Sequence, residues 1–206
     1  MSSVNSNTSD STTIARADHR VIVDFIQPNS RVLDLGCGDG TLLAHLSACK
    51  KVNGTGVEID EQAIYQCMEK GITVSHGDID SGLEDYSSNR FDYVILNESL
   101  QEVLHPQKVL LEALRVGKKA IIGIPNFCHL GARLQIFFRG RVPVTKELPY
   151  EWYDTPNLRF LSLKDFRSFC KHNNIRILKE VGITGSCTVP VCPNLFAQLG
   201  LFLLEK

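Results

Sequence analysis

Val32-Leu33-Asp34-Leu35-Gly36-Cys37-Gly38-Asp39-Gly40 is the stretch around which the chain is organised. A short apolar run follows the turn-forming Pro28-Asn29-Ser30 and breaks into three alternating glycines. Leu42, Leu43 and Leu46 then recur at helical spacing, so the stretch reads as strand, tight turn, helix. Glycines let a ligand lie against bare backbone, and the free N–H groups of the following helix open onto the same place. A ligand carrying a carboxylate, a diol or phosphates suits that mouth. Many α/β proteins use such a turn for packing alone, so the spacing has to add weight. The glycines run G-x-G-x-G behind an acid, Asp34, and Thr41 stands where the dinucleotide fingerprint has its last glycine. A second acid, Glu58, ends the apolar segment Val52 to Val57, where α/β cofactor folds place a carboxylate for a ribose diol. These residues favour a nucleotide-type cofactor over packing alone.

Outward from the turn, strands alternate with helices. Residues 14–26 carry Ile14, Val21, Ile22, Phe25 and Ile26 on one helical face. Strands are expected at Arg31 to Leu35, Val52 to Val57, Ile72 to Ser75, Phe91 to Leu96 and Ala120 to Ile124. Asp60 reads as the N-cap of a helix with Ala63, Ile64 and Met68 inward, and Pro106 starts another through Leu114. This alternation predicts an open parallel sheet, with ligands outside the C-terminal strand ends. Asp34, Glu58, Asp78 and Asn97 all fall at such ends. Beyond Asn126 the pattern gives a short amphipathic helix from His129 to Phe138, then a long irregular segment rich in aromatics and charges. Ser162 with Asp165 resembles a capping box. Ile175 to Val181 and Leu201 to Leu204 read as a last antiparallel hairpin at the sheet edge.

The 206 residues suffice for one α/β domain, expected over 14–206 behind a disordered Ser/Thr/Asn-rich tail at 1–13. The formal net charge of −1 argues against nucleic acid or an anionic membrane as partner. No apolar stretch is long enough to span a bilayer, and no targeting segment is read. Seven cysteines, odd in number and without a C-x-x-C pair, read as reduced thiols of a cytoplasmic protein with no metal site.

Taken together, Asp34 to Gly40, Gly56-Val57-Glu58, Gly77-Asp78 and Phe91 to Leu96 resemble the class I S-adenosylmethionine (SAM)-dependent methyltransferase pattern. More closely, the chain resembles the bacterial MetW family of methionine biosynthesis proteins. The segment Arg139 to Asn157, with Pro149-Tyr-Glu-Trp-Tyr-Asp-Thr-Pro-Asn157, carries that likeness most specifically. The resemblance implies a three-layer, Rossmann-like α/β fold with a seven-stranded, mostly parallel sheet whose last strand is antiparallel. It implies SAM or S-adenosylhomocysteine as cofactor. Gly36 and Gly38 would pass the methionine part, with Asp34 near its cationic end, and Gly40 would complete the cofactor-binding turn. Glu58 would take the ribose hydroxyls with Ile59 against the adenine, Asp78 the adenine amino group with Ile79 alongside, and Asn97 would line the methyl-transfer mouth. The family further implies a bacterial cytoplasmic protein acting with the homoserine O-acyltransferase MetX, as partner or regulator. The alternative is a stand-alone SAM-dependent methyltransferase on a small molecule, and a nucleotide-sugar or NAD enzyme is a distant third.

Methyl transfer requires alignment and water exclusion more than a catalytic dyad. His105, His129 and Tyr150 are the weak candidates for a catalytic part, although a lone loop histidine is usually solvated. Glu98 and Glu102 are candidate pocket carboxylates. Tyr150, Trp152 and Tyr153 read equally as a lid or as a protein contact, and Arg133, Arg139 and Arg141 as holders of an acidic group or as solvated helix ends.

Overall fold

The computed structural model describes residues 16–145 and 150–206; the expected tail, Ile14 and residues 146–149 lie outside the described residues. The elements are α1 (Ala17–Phe25), β1 (Arg31–Leu35), α2 (Thr41–Lys50), β2 (Asn53–Glu58), α3 (Glu61–Glu69), β3 (Thr73–His76), β4 (Phe91–Asn97), α4 (Pro106–Val116) and β5 (Gly117–Pro125). They continue with α5 (Leu130–Arg139), α6 (Leu163–His172), β6 (Arg176–Thr184), β7 (Cys187–Val189), α7 (Pro193–Phe196) and β8 (Leu199–Glu205).

The sheet order is β3-β2-β1-β4-β5-β8-β6-β7. Strands β1 to β5 pair in parallel, and β8 is antiparallel to both β5 and β6. The expected parallel sheet with an antiparallel last strand is therefore present, with one strand more than seven: β7 folds back on β6 through three pairs from Gly182 to Thr184. The last hairpin is also not at the edge. β8 inserts between β5 and β6, so its residues Leu201 to Leu204 are buried on both faces.

Alternation through the pleat separates two cores. Leu33, Leu35, Val94, Leu96, Ile122 and Phe202 meet α4 and α6, whereas Val32, Tyr93, Ile95, Ile121, Leu201 and Leu203 meet α1 and α2. This gives the three-layer architecture. On α3 the inner residue is Cys67, fully buried, and Met68 is 62% exposed, contrary to the expected inward face. The reason is Gly40: a Cβ there would lie 2.8 Å from Cys67 Sγ, so the missing side chain is what admits Cys67.

The capping box at Ser162 is formed in both directions: Ser162 Oγ accepts the Asp165 N–H, and the Asp165 carboxylate accepts the Ser162 N–H. Ser162→Ala removes one half, so equilibrium urea denaturation should show a loss of about 1 kcal/mol.

Candidate functional site

The glycine turn takes its shape from backbone angles that residues with a Cβ rarely adopt. Gly36, Gly38 and Gly40 have φ of 73°, 54° and 74°. Gly36 and Cys37 donate their N–H groups to Val57 O, which ties the turn to the end of β2. No atom lies within 4 Å of the point where a Gly38 Cβ would be, so the bare backbone there faces open space.

Glu58 leaves β2 directly opposite. Its Oε2 accepts the Gly38 N–H at 2.8 Å, and its Oε1 accepts the N–H groups of Ile59 and Asp60 at 2.8 and 3.0 Å. The carboxylate is thus fixed at the mouth, and lone pairs remain for a further donor. Asp34 lies beneath, 2% exposed. Burial, and then the charge of Glu58, push its carboxyl up to about 7. A cation bound above the turn would act against both causes, by favouring the ionised carboxylate.

The other expected residues separate into two groups. Asp78 is exposed, caps the 3-10 turn Ile79–Ser81 and accepts the Asp80 N–H at 2.8 Å. Ile59 is 60% exposed beside Glu58, whereas Ile79 packs against the core under α4. Asn97 ends β4; its Nδ2 donates to Asp18 at 2.8 Å, and its buried Oδ1 has no hydrogen-bond partner among the described residues. The Asn97 amide sits where Gly123 leaves room, since a Cβ on Gly123 would overlap Oδ1.

Of the three weak catalytic candidates, only Tyr150 reaches a cavity beside the Asn97 turn. That cavity, of ≈620 Å³, is also lined by Arg16, Asp18, Glu98, Gln101 and Glu102. His105 caps α4 with its side chain 68% exposed and 3.6 Å from Asp80. His129 is buried at the N-cap of α5 and does not line the cavity. Arg133 hydrogen-bonds to the nearby Cys128 O. Tyr150 parts from Trp152, which joins Arg139, Arg141, Val142 and Val144 around a different cavity, of ≈590 Å³.

Sequence reading missed Arg16, Asp18 and Gln101. Asp18 is 4% exposed on the inward face of α1 and forms an ion pair with Arg16 at 2.9 Å. Burial opposes its charge, but the Asn97 amide and Arg16 outweigh that and hold its carboxyl below the usual range. The signal was present: Asp18 stands at core spacing with Ile22 and Phe25, where a charge needs a partner. Among the described residues no group of three His, Cys, Asp or Glu side chains is placed to hold a metal. No helix among them is long and apolar enough to cross a membrane.

The model of the family described as "Methionine biosynthesis protein MetW" matches residues 16–204. A bifunctional methionine biosynthesis protein MetXA/MetW of Rhodopirellula baltica is 37% identical over 173 residues, which is 80% of this chain; the match spans 28% of that protein's length. Among solved structures, a SAM-dependent methyltransferase from Archaeoglobus fulgidus superposes with a TM-score of 0.68 at 17% identity, over 92% of each chain. The cyclase SpnF superposes with a TM-score of 0.67 at 16% identity, over 91% of this chain and 80% of its own. Such identities speak for the fold alone, and the second neighbour shows that this fold is not tied to one reaction.

Proposed function

The chain belongs to the MetW family, and from that premise we propose that it is a SAM-binding protein of methionine biosynthesis that acts with the homoserine O-acyltransferase MetX. The observation that carries the SAM reading is the Glu58 carboxylate set opposite open space above Gly38, with buried Asp34 below. Gly36 and Gly38 would pass the methionine part, and Gly40 sets the start of α2. Asp34 would face the cationic end, Glu58 the ribose hydroxyls, Ile59 and Asp78 the adenine, and Asn97 the methyl. Ile79, partly buried against the core, would stand alongside the adenine. When bound, SAM supplies an electrophilic methyl on a sulfonium; the chain's own contribution is to orient it and to keep water out. Calorimetric titration with SAM, S-adenosylhomocysteine and NAD should give binding of the first two only. Binding of NAD alone, or of none, sinks this reading.

The partner reading rests on α5. This helix of ten residues buries only Ala132, while Phe137 and Phe138 are 80% and 76% exposed beside half-exposed Leu134 and Ile136. A helix this short draws most of its stability from packing, and an apolar surface rimmed by Arg139, Arg141 and Trp152 has the composition of a protein contact. The fused Rhodopirellula relative, whose name joins MetXA to MetW, supports the acyltransferase as the occupant. Phe137→Ser with Phe138→Ser should abolish co-purification with the acyltransferase while leaving the melting temperature and SAM affinity unchanged. If wild type neither co-purifies with the acyltransferase nor alters its activity, the partner reading is wrong. The cavity beside Asn97 favours a second reading, a stand-alone SAM-dependent methyltransferase on a small molecule; methylated products formed from labelled SAM by the chain alone would support it.

A further inference from the structure

On the face of the sheet that carries α4 and α6, these two helices and the segment leading into α6 line a cavity of ≈360 Å³. Its apolar walls are Leu100, Leu110, Phe160, Leu161, Phe166 and Phe169. Leu100, Leu110 and Phe166 are buried core residues, whereas Phe160 is 62% exposed at the opening. A mostly apolar hollow of this size, with a few placed polar groups, falls within the range of small-molecule pockets, about 300–1,000 Å³. Neither the Glu58 turn nor the cavity beside Asn97 contributes a residue to it. Its frame is fixed by hydrogen bonds. The N–H groups of Leu158 and Arg159 both donate to Gln101 O, at 2.9 and 3.1 Å, and hold the segment before α6 against the turn after β4. Gln107 Nε2 donates to Asn173 Oδ1 at 3.1 Å and joins α4 to the end of α6. The Phe166 and Phe169 rings stack with centroids 6.4 Å apart.

The charged groups of this cavity are Arg159 and Asp165. The Asp165 carboxylate is committed to the capping box, taking Ser162 N–H and Oγ at 3.0 and 2.6 Å, with the charge of Lys164 nearby. Arg159 gives one N–H to Leu158 O at 3.0 Å and one to Leu104 O at 2.9 Å. Both partners are neutral carbonyls, and among the described residues Arg159 forms no ion pair. A guanidinium has five N–H donors, so three remain for a further acceptor. The hollow on the other side of Arg159 does not reverse the balance of charge. Lys108, Arg115 and Arg159 there stand against Glu84 and Glu112, and Glu112 is paired with Arg115 at 2.7 Å.

We propose that this cavity binds a free medium-chain alkyl carboxylate, its chain along Leu100, Leu110 and Phe166 and its carboxylate on the unused N–H groups of Arg159. A carboxylate matches the guanidinium in charge and in its pair of acceptors. An alkylammonium would meet a like charge, and an alcohol would gain one neutral hydrogen bond. A small anion without a chain would gain nothing from the walls. Arg159 is exposed, so water screens the pair. The buried chain therefore supplies most of the affinity, and Arg159 selects the head group. The site goes beyond the cofactor reading and does not depend on it, because its ligand is measured without SAM.

The test is titration of the full chain, at fixed ionic strength and without SAM, with butyrate, hexanoate, octanoate, octanol and octylammonium. Affinity should rise about two- to fourfold with each added methylene of the carboxylate. Octanoate should bind at least about fivefold more tightly than octylammonium. Arg159→Gln should remove that preference and keep the dependence on chain length, with the fold checked by thermal melting. Should Arg159→Gln fail to fold, the chain-length and head-group series on the wild type decide alone. The proposal is overturned by octanoate binding no more tightly than butyrate, by octylammonium binding as tightly as octanoate, by no octanoate binding at about 1 mM, or by an undiminished head-group preference in folded Arg159→Gln.

Discussion

SAM affinity should rise with pH and level off near pH 7, and Asp34→Asn should remove that rise. Asp34 is held up to about 7, first by burial and then by Glu58. Below that pH the ligand-free protein carries a proton on Asp34, and a cation binding above the turn favours its release. Affinity then climbs by up to about tenfold per pH unit until Asp34 is already ionised. Calorimetry in buffers of different ionisation enthalpy should count close to one proton released per SAM at pH 6 and few at pH 8. The α-amino group of the ligand titrates near 8 in both proteins, so the difference between the two profiles isolates Asp34. Stability gives a second reading that needs no ligand. The folded-state carboxyl is raised above its unfolded value near 3.9, so the folded chain binds more protons across that window. Stability is lost as pH rises from about 4 to 7, and the full penalty, about 4 kcal/mol, is present above 7. Asp34→Asn should therefore be the more stable protein at pH 8, by up to that amount, and show no advantage at pH 4. Parallel SAM profiles for wild type and variant would refute the assignment of Asp34 to the cationic end of the ligand.

The parts of this site that could be read in advance are the local ones. The strand, glycine turn and helix of residues 32–46 lie within one window, and the spacing of their glycines requires no knowledge of what packs against them. The acids at strand ends were legible for the same reason, because a parallel strand announces its end where its apolar run stops. The order of strands was not, since β8 sits between β5 and β6 by pairing that periodicity does not encode. Three-residue β7 is too short to show alternation. The face of α3 was misjudged because the vacancy that admits Cys67 belongs to Gly40, on another element. The cavity beside Asn97 is the same lesson at longer range: Asp18 meets Asn97 across 79 positions of sequence. The amphipathic pattern of α5 was visible, but a pattern shows that a helix has an apolar face and not whether the chain itself covers it.

Glu58→Ala should cost SAM affinity about a hundredfold or more, the largest single-residue effect expected on binding. Two charge-assisted hydrogen bonds to a diol contribute about 1.5–3 kcal/mol each, but Glu58 also organises the protein. Its carboxylate gathers the N–H groups of Gly38, Ile59 and Asp60, so alanine leaves three donors to water and releases the turn from β2 at that point. Glu58→Gln separates the two roles. A glutamine can still offer its one oxygen to Ile59 and Asp60, but its NH2 then opposes the Gly38 N–H, donor against donor. Stability should recover toward wild type in urea denaturation, while SAM affinity stays close to that of alanine, because the glycine turn is no longer closed against the acid. The pH profile links this result to Asp34. Either substitution removes the charge that helps to raise Asp34, so the plateau of affinity should begin at lower pH than in wild type, however weak the binding has become. A plateau left at the wild-type pH would mean that burial alone sets the Asp34 proton. A glutamine that binds as tightly as glutamate would mean that the carboxylate serves the turn and not the ligand.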